Sequence, residues 1–210
     1  AIENAPKVGI EITDFGMEHE PECIKKYYEG CATLADMARK AASMEGVDFL
    51  SFRMEGGDPN GANKSTEELI GELKEIADAV DLPLVVCGCK NVEKDAELFS
   101  KAAEALNGKN AVILSAKEEN YKTVGAAAGL AYKQIVGAES AVDINLAKQL
   151  NVLISQLGVD SKSVVMNVGS AAVGYGFEYV ISTMDRVKAA ALQQGDANLQ
   201  MPIITPVASE

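Results

Sequence analysis

Short, almost continuously apolar runs alternate along this chain with stretches whose apolar residues recur at helical spacing. The runs are Lys7–Asp14, Phe49–Met54, Leu82–Gly88, Ala111–Ala116, Ala138–Asp143, Ser163–Asn167 and Pro202–Val207, with Ala138–Asp143 the weakest. Helical patterns are predicted over Ala32–Met44, from Ser65 to near Asp81, and over Val92–Leu106, Asn120–Val136, Asn145–Leu157 and Phe177–Gln194. Leu34, Met37, Ala38 and Ala41 form one stripe, and Leu69, Leu73, Ile76 and Ala77 another. Ser65, with Glu68 three residues on, reads as a capping box. Asn107-Gly108 stops the third of these helices.

Runs that are apolar throughout, rather than alternating, belong to strands buried on both faces. Repeated β-α units then leave two architectures, a doubly wound open sheet or a closed barrel. No G-x-G-x-x-G follows the first run, and no G-x-x-x-x-G-K-[ST] occurs, so nucleotide-binding open sheets lose support. Seven evenly spaced units predict an α/β fold of the TIM type, a single (β/α) barrel domain over residues 1–210. The eighth βα unit is absent, so the barrel is expected to be incomplete, with about seven strands. Open strand edges are costly, which predicts a fragment of a longer subunit.

The chain has 210 residues, 48% hydrophobic and 24% charged, and a net charge of −12. Its Lys and Arg form no stripe, so phosphate backbones and anionic membranes are unfavourable partners. No apolar run reaches the roughly 20 residues of a membrane span. Ala1–Pro6 lacks the basic start and apolar stretch of a leader, and a cytoplasmic location is expected. Cys23, Cys31, Cys87 and Cys89 do not have the spacing of an iron–sulfur or zinc site and read as small core residues of a reducing compartment.

In a barrel the functional loops follow the carboxyl ends of the strands. Those positions hold Asp14, Glu55 to Asn60, Gly88 to Asn91, Ser115 to Asn120, Asp143 to Asn145, Asn167 to Tyr179, and Thr205. The single histidine, His19, lies in the loop after the first run, so neither a Ser-His-Asp triad nor a His-rich metal centre is available. Acid–base work would fall on carboxylates or Lys117, which is also placed for Schiff-base chemistry but reads more simply as solvated. Asp and Asn at strand ends suit a planar amide-bearing ligand, such as a pterin or a corrin side-chain amide. Singly, such residues also cap helices and shape turns, and Asn145 reads as a helix cap. The sharpest local feature is Gly174-Tyr-Gly-Phe-Glu-Tyr179. Its glycines permit a tight turn, its helix start offers free N–H groups, and its tyrosines present flat faces.

Val173–Asp196 followed by Leu199–Val207 resembles the small subunit of the corrinoid iron–sulfur protein, itself similar to the delta subunit of the acetyl-CoA decarbonylase/synthase complex. Asp58-Pro-Asn60, Asn91–Asp95, Ser115–Lys122 and Val142–Asn151 agree with it. The resemblance implies a barrel related to pterin-binding methyltransferases and a large partner subunit, in a heterodimer. It places the [4Fe-4S] cluster on the partner only and implies a corrinoid (cobamide) shared between the two. The implied role is a non-catalytic methyl carrier of the anaerobic acetyl-CoA pathway. Methyl would pass from methyltetrahydrofolate, through a separate methyltransferase, to acetyl-CoA synthase. The candidate cofactor-binding residues are Gly88, Asn91, Asn120, Asp143, Asn145, Asn167, Gly174, Tyr175, Gly176, Glu178 and Tyr179; no catalytic or metal-ligating residue is assigned. One departure stands out: Asn167-Val168 occupies the place where the family tends to have Asp-Pro, which removes a charge from that strand end. The alternative is a pterin-binding methyltransferase that uses Asp14, Asn91, Asp143 and Asn167.

Overall fold

The computed structural model describes residues 4–209; of the Ala1–Pro6 stretch read for a leader, residues 1–3 lie outside it. Two compact units follow one another, Ala1–Ala111 and Val112–Glu210.

The first unit carries three parallel strands, β1 (Gly9–Thr13), β2 (Phe49–Arg53) and β3 (Leu84–Cys87). Glu11 pairs in register with Ser51, Thr13 with Arg53, and Arg53 with Cys87. All of β3 and the last four residues of β2 are buried, as apolar runs under helices require. Short α1 (Glu22–Tyr27) precedes α2 (Leu34–Ala42), whose N-terminus Thr33 and Asp36 close reciprocally in a capping box. At α3 (Thr66–Ala79), the Ser65 hydroxyl accepts from the backbone N–H of Glu68 at 3.1 Å. The predicted stripe of Leu69, Leu73, Ile76 and Ala77 is buried. In α4 (Val92–Ala105), Leu98, Phe99, Ala102 and Ala103 are fully buried. Helices α2 and α3 pack together, as do α3 and α4.

The second unit carries β4 (Val112–Ala116), β5 (Ile135–Glu139), β6 (Val164–Asn167) and a two-residue β7 (Ile203–Ile204), each parallel to the next. The helix expected over Asn120–Val136 is much shorter. It comprises α5 (Tyr121–Val124) and a π-helical stretch, Gly125–Ala131. Lys133 then turns the chain with φ of 55°. Strand β5 therefore starts three residues before the expected Ala138 and ends four residues before the expected Asp143. The small side chains of Gly125 to Gly129 carry the helical pattern but bury little apolar area, so tertiary pairing of Ile135 and Val136 with Val112 and Ile113 decides the boundary. Helix α6 (Ile144–Gln156) packs on β5 and β6, and α7 (Phe177–Gln193) packs on α6.

Among the described residues no helix is long and apolar enough to cross a membrane.

Candidate functional site at the strand ends

Polar residues gather at the carboxyl ends of the strands in each unit, and their local geometry separates those that hold the fold from those with spare bonding capacity.

In the first unit the Arg53 guanidinium grips Glu11 through two hydrogen bonds, Nε to Oε1 at 2.7 Å and Nη2 to Oε2 at 3.0 Å. Burial pulls the Arg53 pKa down, but the Glu11 hydrogen bond and neighbouring negative charge outweigh it and leave a net rise. Ser51 Oγ donates to Glu11 Oε2 and lies 3.4 Å from Cys87 Sγ. Burial pushes the Cys87 thiol up to about 11 and the Cys89 thiol up to about 12, so neither is a thiolate nucleophile at neutral pH. At the end of β1, the Asp14 carboxylate accepts the backbone N–H of Gly56 and pairs with Lys64 at 3.0 Å. Lys64 also bonds Glu72, whose second oxygen is buried without a hydrogen-bond partner. Burial raises the Glu72 pKa.

Gly88 and Asn91 lie in this unit. A Cβ on Gly88 would run into the Asp95 carboxylate, which accepts the Cys89 backbone N–H at 2.7 Å. Close approach therefore requires glycine there. Asn91 caps α4, accepting from Lys94 N–H at 3.0 Å.

In the second unit Asn167 is 3% exposed and bonded on both sides. Its Nδ2 donates to Ser115 Oγ at 2.8 Å and reaches Glu139 Oε2 at 3.4 Å, while its Oδ1 accepts from Gly169 N–H at 3.0 Å. Lys117 Nζ stands 3.3 Å from Glu139 Oε1. Buried Asn120 accepts the Lys117 backbone N–H at 2.8 Å and so shapes the loop after β4. Ser115, Lys117, Glu139 and Asn167 thus form one connected group. Glu139 was missed because the expected fifth strand placed Asp143 at its end. Asp143 instead caps α6, accepting from the backbone N–H groups of Asn145 and Leu146 at 2.8 and 3.1 Å. The capping role read for Asn145 belongs to Asp143. Asn145 sits exposed in the first turn of α6.

The remaining candidates form a loop and helix start. Gly174 and Gly176 take φ of 84° and 115°, a region that favours glycine. They display Tyr175, 89% exposed, and Tyr179, 64% exposed, beside Val173, 83% exposed; Glu178 is exposed as well. Among the described residues, no group of three or more His, Cys, Asp or Glu is arranged to hold a metal ion.

Parallel strands, helical crossovers and polar strand ends define a (β/α) protein of the TIM type. A dihydropteroate synthase from Xanthomonas albilineans, solved in complex with 7,8-dihydropteroate, shares this fold. The TM-score is 0.54 at 16% identity over 95% of this chain and 71% of that one. The family model for the CO dehydrogenase/acetyl-CoA synthase delta subunit matches residues 1–209, and the chain belongs to that family. Among its relatives are acetyl-CoA decarbonylase/synthase complex delta subunits. That of Methanothermobacter thermautotrophicus is 33% identical over 95% of this chain and 51% of its own length. That of Methanopyrus kandleri is 37% identical over 80% of this chain and 42% of its own. The chain thus spans about half the length of these relatives.

Proposed function

We propose that this chain is the barrel portion of a methyl-carrier subunit that helps to hold a corrinoid shared with a large partner subunit, which carries the [4Fe-4S] cluster. The observation that carries the reading is the exposed Val173–Tyr179 segment. Large apolar and aromatic side chains clustered at a helix start, with glycines giving open approach, mark a surface meant to be covered. A flat macrocycle edged with amides fits such a surface. Tyr175 and Tyr179 offer aromatic faces, the backbone at Gly174 and Gly176 allows close approach, and polar groups supply hydrogen bonds. When bound, the corrinoid supplies a cobalt that accepts and releases a methyl group. The chain's own residues would orient the ring and exclude water from one face. In this reading methyl arrives from methyltetrahydrofolate through a separate methyltransferase and leaves to acetyl-CoA synthase, in the cytoplasm of an anaerobe.

The test is co-purification of the chain with the large subunit, read by a cobalt-corrinoid absorbance spectrum. Corrinoid is expected with the heterodimer and not with the isolated chain. Saturable binding of methyltetrahydrofolate to the isolated chain, with methyl transfer from it, would favour a pterin-binding methyltransferase instead.

A further inference from the structure

We infer that Glu139 and Lys117, held in place by Asn167 and Asn120, form a receptor for one carboxamide-type group, an N–H donor beside a C=O acceptor. The inference rests on the reading of this chain as part of a corrinoid-holding subunit. Two of the ion pairs near strand ends, Arg53–Glu11 and Lys117–Glu139, differ in how far they are closed. Arg53 and Glu11 meet at 2.7 and 3.0 Å with side chains 10% and 9% exposed, so that pair is closed. Lys117 and Glu139 meet at 3.3 Å with side chains 29% and 31% exposed. Charge-assisted hydrogen bonds normally close to roughly 2.7–2.9 Å. The second contact of Glu139, to Asn167 Nδ2, is longer still at 3.4 Å. The carboxylate therefore keeps acceptor capacity, and the ammonium has donors beyond the one aimed at Glu139.

What surrounds the pair is rigid. Asn167 is buried and fixed through Ser115 and Gly169, and Asn120 fixes the Lys117 backbone. Asn167 and Asn120 act as positioning residues, and Glu139 and Lys117 face the ligand. The charges select its class. An anion is repelled by Glu139 and a cation by Lys117, whereas a neutral amide donates to the first and accepts from the second. A corrin ring carries such amides around its edge, and a pterin carries the same pair in its lactam.

The experiment uses the complex with the large subunit, stripped of corrinoid and titrated with dicyanocobinamide or with cobyrinic acid, in which carboxylates replace the amides. The wild-type complex is expected to prefer dicyanocobinamide, and Glu139→Ala to weaken that binding about tenfold or more while the complex still assembles. Glu139→Met, close in volume and without an acceptor oxygen, carries the same test where Glu139→Ala fails to assemble. Dicyanocobinamide binding unchanged by the substitution overturns the receptor and leaves the carrier reading intact. A wild-type complex that binds no corrinoid overturns the carrier reading. The receptor is then judged by 5-methyltetrahydrofolate: weaker binding to Glu139→Ala than to wild type makes the lactam its ligand, and equal or absent binding overturns it.

Discussion

Replacing Arg53 by methionine is expected to destabilise this chain by about 3–5 kcal/mol, the range for removing one partner of a buried ion pair. The geometry sets that expectation. Two hydrogen bonds of 2.7 and 3.0 Å join nearly buried side chains, and charges about 4 Å apart at an effective dielectric constant near 20 attract by about 4 kcal/mol. With Arg53 gone, what remains beside Glu11 is the Ser51 hydroxyl at 3.2 Å and the Cys87 thiol, weak substitutes for a guanidinium. Most of the loss is thus the cost of an uncompensated buried carboxylate rather than the net worth of the pair. It follows that a second change, Glu11→Leu, relieves it, and the double variant should lie within about 1–2 kcal/mol of wild type. Urea unfolding at pH 7, followed by far-ultraviolet circular dichroism, measures all four corners of the cycle. Repeating it in 0.5 M salt should change the coupling little, because a buried pair is poorly screened. The reasoning fails if Arg53→Met costs less than about 1 kcal/mol, or if the two single costs simply add.

Gly88→Ala should cost about 3 kcal/mol in the same assay, since the new methyl displaces the Asp95 carboxylate from the Cys89 N–H. Under native conditions at pH 8, iodoacetamide followed by mass spectrometry should label exposed Cys23 and spare Cys87 and Cys89, whose thiols are buried and pushed up to about 11 and 12; equal labelling of Cys87 and Cys23 would contradict the burial. Burial raises the Glu72 pKa on folding, so its contribution to stability is fully present below the unfolded value of 4.5 and is lost as pH rises through the higher folded value. Glu72→Gln removes that dependence, and its stability relative to wild type should be greater at pH 7 than at pH 4.5. Tyr175→Ala, at a side chain 89% exposed, should leave unfolding within about 0.5 kcal/mol of wild type, and a larger loss would show that the tyrosine packs into the chain itself.

The β-α alternation was legible in the sequence because strands buried on both faces must be apolar throughout, and helices must present a stripe. Leu84–Cys87 and the α3 stripe of Leu69, Leu73 and Ile76 follow from that rule. Local capping was legible for Ser65, whose partner is three residues away. The Val173–Tyr179 segment was legible as a distinctive turn because glycine at φ of 84° and 115° is a local requirement.

Other features depended on residues distant in the chain. The start of β5 was misplaced because the helical pattern was carried on through Ile135 and Val136, and only pairing with Val112 and Ile113 selects them as strand residues. That shift exchanged the roles of Asp143 and Glu139, turning the first into a helix cap and the second into the residue facing Lys117. Glu11 and Arg53 are 42 positions apart, and Ser115 and Asn167 are 52 apart. The physical reason is the range of each force. Periodic burial and capping act over one or two turns, so the sequence alone determined the β-α alternation, most of its segments and where aromatic residues cluster. Whether a given carboxylate is gripped, capping or open depends on which strand end lies beside it, and that was decided only by the tertiary structure.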